Sequence, residues 1–325
     1  INMKKLAKNI LQKARVIALV SDKKRTTQED ELTAIRAINN KIKLFLFFIS
    51  GNFSVMKLHK FIAVFFVSFL FAQSSQPNSK TVQFLIEDQQ IQKIYSSETI
   101  KSIFKNPQQK DVEKILLKFK NKPEKTRTLE EYSKIFITEK RINRALVFYA
   151  SNKNLFREVY VQTKVDPFLV LSIISMETNF GEMQGEYRLI DSFFTQIEYI
   201  PERKEWAEKQ LKQFLIHCFN EKIAPESVMG SYAGAFGYGQ FIPTSFESLF
   251  IDFNLDGKKD PYGWEDTIGS ISNYLFKNQY PVDNNNFSIN SEIWKSVRTY
   301  NRSDNYASTA IYLRNEILKE FYLLD

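Results

Sequence analysis

The chain reads as a mainly α protein, one compact body with lobes around a groove. Three observations point that way. Apolar residues recur at helical spacing along most of residues 83–325. Convincing alternating strands are absent. Glycine is scarce except in one cluster, where four of the ten glycines fall between Gly230 and Gly239.

The leader comes first. Residues 1–60 carry a net charge of +9, more than the whole formal +8, and the remainder carries −1. The remainder is close to neutral, so bulk electrostatics give no case for a nucleic acid partner. Met56-Lys-Leu-His-Lys60, the apolar run Phe61–Phe71 and the exit Ala72-Gln-Ser-Ser read as a signal peptide over 56–72. The apolar run is shorter than the ~20 residues of a membrane span. The exit lacks a clean Ala-x-Ala, so an uncleaved, membrane-attached segment stays open beside an exported, periplasmic product. Residues 1–55 are expected to be a non-native upstream extension, residues 73–82 a linker, and 83–325 the folded domain.

Helical patterns are then expected over 112–119, 131–139 and 141–163, with breakers at Asn106-Pro107 and Lys122-Pro123. A helix over 167–178 has Asp166 as N-cap, Pro167 at its first position and Gly181 past its end. Further helices are expected over 203–220, 243–250, 264–279 and 304–321. A short hairpin is expected, if anywhere, at 251–263 or 287–291.

Cys218 is the only cysteine, so no internal disulfide forms, and His217 is the only histidine beyond the leader. A His-based zinc site is excluded by number. Both residues lie in an amphipathic helical pattern and read as ordinary helix residues.

Glu177 ends the apolar stretch Val165-Asp-Pro-Phe-Leu-Val-Leu-Ser-Ile-Ile-Ser-Met-Glu-Thr-Asn-Phe-Gly181. Ile173 and Ile174 share its face one turn earlier. A carboxyl among aliphatic groups resists ionising, as a general acid must. The plainer alternative is a solvated Glu at a helix end. The cluster Gly230-Ser-Tyr-Ala-Gly-Ala-Phe-Gly-Tyr-Gly-Gln-Phe-Ile-Pro-Thr-Ser245 interleaves glycines with aromatic rings. Such a stretch presents backbone amides and ring faces to a sugar, or else forms a tight turn packed by aromatics.

Glu177-Thr-Asn-Phe-Gly, the Gly-aromatic stretch and Tyr300-Asn-Arg-Ser-Asp-Asn-Tyr306 occur in that order. With Asn121-Lys-Pro-Glu-Lys-Thr126, they resemble the membrane-bound lytic murein transglycosylases of the B type over about residues 82–318. The resemblance implies that 83–325 is a catalytic domain with a lysozyme-like helical fold, a substrate groove and a small EF-hand-like loop. It implies cleavage of the MurNAc–GlcNAc β-1,4 bond of peptidoglycan with formation of 1,6-anhydromuramyl ends. It makes Glu177 the sole acid and then base. It places Ser231, Tyr238, Gln240, Tyr300, Asn301 and Tyr306 along the groove. No catalytic cofactor is expected; glycan strands and other cell-wall enzymes are the expected partners. A hydrolytic muramidase and a catalytically silent glycan-binding scaffold are the alternatives.

Asp252, Asn254 and Asp256 stand at positions 1, 3 and 5 of a loop with Gly257 at position 6. Position 7 is Lys258, whose carbonyl would serve. Position 12 is Gly263 rather than Glu, and the resemblance moves the closing acid to Asp266. Such oxygen donors suit a structural Ca²⁺; the alternative is an Asp/Asn-capped turn without an ion.

Overall fold

The computed structural model describes residues 79–121 and 127–324, which belong to one unit spanning 75–325. The extension 1–55, the signal peptide 56–72 and the stretch 122–126 lie outside the described residues. Ser79 opens α1 (Lys80–Glu87), its hydroxyl accepting from the Val82 amide at 3.0 Å. The expected linker boundary at 82 is therefore too late. Ser-Lys-Thr-Val reads as polar coil, yet Ser79 is an N-cap and Thr81 and Val82 are buried. Thr81 also gives its amide and its hydroxyl to Glu198 Oε1, each at 2.8 Å.

α2 (Ser97–Ile103) and α3 (Gln109–Asn121) follow. α4 (Leu129–Phe136) begins with a capping box in which Thr128 and Glu131 satisfy each other's backbone amides. α5 (Glu139–Ser151) and α6 (Lys153–Thr163) replace the single helix expected over 141–163. Asn152 makes the break: its backbone and side-chain amides both donate to the Phe148 carbonyl, closing α5 before α6 starts.

α7 (Pro167–Thr178) matches expectation and forms the centre of the core. Asp166 caps it through the Leu169 amide at 2.8 Å and also pairs with Arg314 at 2.6 Å. β1 (Tyr187–Arg188) leads into α8 (Leu189–Tyr199), then α9 (Lys204–Asn220) and β2 (Met229–Gly230). The two strands pair antiparallel, Tyr187 opposite Gly230 and Arg188 opposite Met229. Gly185, at φ +100, lets the chain approach this pair: a Cβ there would lie 2.2 Å from the Gly230 backbone.

α10 (Pro243–Leu249), α11 (Trp264–Lys277), α12 (Glu292–Tyr300) and α13 (Asp304–Leu324) complete the body. Neither expected hairpin forms. At 251–263 and 287–291 local side chains take the amides a ladder would need. Asn284 and Asn286 accept from the Asn286 and Ser288 amides at 2.7 and 3.0 Å. α13 lies along α7, and α5, α6 and α11 pack against other parts of α7. No single helix among the described residues is long and apolar enough to cross a membrane.

Candidate active site

From Phe168 to Thr178 every residue of α7 is buried except Glu177, which is half-buried. Each fully buried Leu, Ile or Phe contributes roughly 1.5–3 kcal/mol. That apolar investment fixes the helix and leaves one carboxylate reaching out of it. The carboxylate lies in the last turn, where the helix dipole opposes negative charge.

The helix stops sharply. Asn179, Phe180 and Gly181 take φ of 49°, 60° and 81° in succession. Left-handed backbone at a non-glycine residue costs ~1–3 kcal/mol and persists only where the surroundings impose it. Phe180 is buried against Phe148, ring centroids 5.0 Å apart. A Cβ at Gly181 would lie 3.0 Å from the Tyr238 ring. Thr178, fully buried, accepts from the Gly181 amide at 3.1 Å and donates its hydroxyl to the Tyr238 carbonyl at 2.9 Å. The residue after Glu177 thus ties the helix end to the Gly-aromatic loop.

That loop is joined to the C-terminal helices by a second bond. The Tyr300 hydroxyl, at the end of α12, donates to the Gly239 carbonyl at 2.6 Å. Tyr306, in the first turn of α13, donates its hydroxyl to Glu177 Oε1 at 2.5 Å. Both phenols are held well above their ordinary pKa, by burial first and then by the negative charge of Glu177. They stay protonated donors at any neutral pH. The site therefore joins α7, the loop, α12 and α13 around one carboxylate.

The profile of the transglycosylase SLT domain matches residues 78–293, about two thirds of the chain. The chain belongs to the transglycosylase SLT domain family. It is 34% identical over 144 residues to the membrane-bound lytic murein transglycosylase B of Escherichia coli (strain K12), an alignment covering 44% of this chain and 40% of that protein. It thus spans less than half the length of the curated relative it matches. Its fold is similar to the E. coli lytic transglycosylase Slt35, solved with bulgecin A and with calcium. The TM-score is 0.67 in each case, at 22% identity over 75% of this chain and 94% of that one. The soluble lytic transglycosylase SltB1 of Pseudomonas aeruginosa matches at a TM-score of 0.66 and 24% identity, over 74% of this chain and 99% of that one. The mainly α, lysozyme-like class expected from the sequence is the class found.

In this SLT domain six of the expected catalytic and groove residues fall into two groups, with Asn301 apart. Glu177, Tyr300 and Tyr306 are brought together by the contacts above. Ser231, Tyr238 and Gln240 shape the loop. The Ser231 hydroxyl accepts from the Ala235 amide at 3.0 Å, and its carbonyl accepts from buried Ser192 at 3.0 Å. Gln240, at φ 50°, turns its side-chain amide back to the Gly237 carbonyl at 2.9 Å. Tyr238 stacks on Trp264 at 4.2 Å with 19° between planes, so its ring is packed as well as near the site. Asn301 caps α12 in extended backbone beside Tyr300, and its carbonyl accepts from the Ser303 amide at 2.7 Å.

His217 sits in α9 edge-on to Phe246 at 4.7 Å, and burial lowers its pKa. Cys218 is fully buried, its thiol pushed up to about 12 by burial. Neither has the accessible, activated form that nucleophilic catalysis needs.

The donor set of loop 252–266 is oxygen only, which fits a hard cation. Many of those oxygens already fold the loop. Asp252 and Asn254 each accept from the Asp256 amide at 3.1 Å, Asp252 also from the Gly257 amide at 2.8 Å, and Asp256 from the Lys258 amide at 2.9 Å. Buried Asp266 accepts from the Phe253 and Asp260 amides, both at 2.8 Å. Among the described residues no three His, Cys, Asp or Glu side chains converge to hold a metal. A cation there would rely on Asp252, Asn254 and Asp256 with the Lys258 carbonyl, while Asp266 closes the loop.

Sequence reading missed Thr178, Trp264 and Tyr274. Tyr274 bonds the Thr299 carbonyl at 2.7 Å and lies edge-on to Tyr300 at 4.8 Å. Only Thr178 left a trace: a hydroxyl residue just before an Asn-x-Gly helix end suits a local backbone bond.

Proposed function

We propose that the protein is an exported peptidoglycan lytic transglycosylase that cleaves the MurNAc–GlcNAc β-1,4 bond. The observation that carries this reading is the single half-buried carboxylate of α7 with the Tyr306 phenol on its oxygen. Glu177 gives its proton to the glycosidic oxygen as the bond to C1 breaks. The substrate's acetamide stabilises the positive charge left on C1. Glu177, now a carboxylate hydrogen-bonded by Tyr306, takes the proton of the MurNAc 6-hydroxyl as that oxygen closes on C1. The carboxyl regains its proton and no water is consumed. No second carboxylate is required, in line with substrate-assisted glycosidases. Ser231, Gln240 and Asn301 supply polar contacts to the sugar edges and acetamide; Tyr238 and Tyr300 supply ring faces.

The test is the product. Purified sacculi digested with the protein and read by mass yield muropeptides with 1,6-anhydro ends. Reducing ends in their place would make it a hydrolytic muramidase. Binding with no soluble fragments would make it a silent glycan-binding scaffold.

Export rests on the leader pattern at 56–72 and on the membrane-bound naming of the E. coli relative. A structural calcium ion in loop 252–266 is proposed on the oxygen-only donors and the turn that Gly257 makes at φ +89. Melting with millimolar Ca²⁺ against excess EGTA checks it, and an unchanged Tm removes the ion.

A further inference from the structure

Arg141 stands on the wrong end of its own helix. It lies in the first turn of α5, where the dipole disfavours a cation. The residue serves α7 instead. Its Nη1 donates to the Ser175 carbonyl and lies 3.5 Å from the Ser175 hydroxyl. Ser175 is two residues before Glu177, and its carbonyl also accepts the Asn179 amide at 3.1 Å, the bond that ends the helix. The guanidinium is held over the Phe136 ring at 5.2 Å.

One turn along α5, Arg144 pairs with Glu182, which also accepts from the Asn179 side-chain amide at 2.5 Å. Arg144 further lies 5.8 Å over the Phe180 ring. Two guanidiniums from one helix therefore grip the 175–182 turn at both ends. Only Arg141 reaches the carbonyl end of α7 itself. A cation bonded there opposes the negative pole of the helix that carries the reacting carboxyl.

We propose that Arg141 is a positioning residue for Glu177, acting through the Ser175 carbonyl to fix the helix end and to favour the carboxylate that forms when the proton leaves. This rests on the reading of Glu177 as the acid. The other charged and titratable groups around that turn are Tyr306 from α13, Tyr300 from α12, and Arg144, Lys140 and Glu182. Arg141 bonds the main chain of α7's last turn, and none of these five does so among the described contacts.

The experiment measures kcat and KM across pH for the full chain and for Arg141→Gln, Arg141→Lys and Glu177→Gln, on soluble peptidoglycan glycan fragments. Arg141→Gln keeps a donor and loses the charge. Its kcat should fall about three- to tenfold with KM little changed. The alkaline limb of its rate profile should move up by on the order of half to one pH unit, the size of a cation's effect at a helix C-terminus. Arg141→Lys should restore the limb and most of kcat. An Arg141→Gln variant with a wild-type limb, alongside an inactive Glu177→Gln, overturns the role of Arg141 and leaves Glu177 standing. An active Glu177→Gln overturns the reading beneath it. If Arg141→Gln does not fold, Arg141→Lys decides: a limb displaced despite the retained charge would contradict the proposal.

Discussion

Replacing Tyr306 with Phe removes one oxygen from the site and almost nothing else. The ring is 3% exposed and would keep its packing, because Phe fills the same space up to the hydroxyl. What is lost is a 2.5 Å hydrogen bond to Glu177 Oε1. Bonds to charged groups contribute ~1.5–3 kcal/mol, against ~0.5–1.5 for neutral ones. The difference matters because, in the proposed mechanism, Glu177 is neutral before proton transfer and charged after it. An interaction that strengthens as charge develops lowers the barrier rather than the substrate affinity. The gain on ionisation is the difference between those ranges, ~1–1.5 kcal/mol, so at ~1.4 kcal/mol per decade kcat should fall about five- to tenfold, with KM within about twofold. The assay is the initial rate of soluble muropeptide release from sacculi at several substrate loadings, with melting curves as a fold control. A variant with wild-type kcat would refute the reasoning and reduce the bond to packing. A rise in KM alone would move Tyr306 from the reaction to sugar binding.

Thr178→Val is nearly isosteric but strands the Gly181 amide and the Tyr238 carbonyl. With buried unsatisfied groups costing ~1–3 kcal/mol each, it should lower Tm by roughly 5–15 °C in thermal unfolding. An unchanged Tm would deny the staple. For His217, burial sets the folded pKa below the ordinary 6.5. Above that pH neither state holds the extra proton, whereas on acidification the unfolded chain takes it up first. Stability should therefore fall as pH drops below about 6.5. Urea unfolding at pH 7.5 and 5.5 should show a smaller loss for His217→Gln than for wild type, and equal losses would contradict the shift.

What could be read in advance depended on range. α7 was legible because its signals are local: Asp166 caps, Pro167 starts, and the apolar run fills between. The Gly-aromatic stretch was legible for the same reason, whereas α12 was not read although Ser291 caps it through the Trp294 amide. α8 was not read, although Asp191, Ser192, Thr195 and Gln196 recur at helical spacing; that polar stripe is buried along with the apolar residues from Leu189 to Ile197, so it marks no solvent face. The break at Asn152 depends on one side chain competing for a carbonyl within a run of good helix formers. Glu177 itself could be singled out, but Tyr306 lies 129 residues away and came only with the family motif. Arg141 left no sequence signal: a cation in a first helical turn reads as a slightly unfavourable surface residue until α7 is beside it. The inward turn of Gln240 was hidden in the same way, being a matter of φ rather than composition.

The central claim is that one carboxyl group, Glu177, does all the proton transfer. Glu177→Gln preserves shape and removes the acid, so the decisive measurement is the mass and amount of fragments released from sacculi by wild type and variant at equal concentration. The account predicts 1,6-anhydro muropeptides from wild type and a loss of their release by at least about a hundredfold in the variant. Anhydro fragments released by Glu177→Gln at the wild-type rate would contradict it.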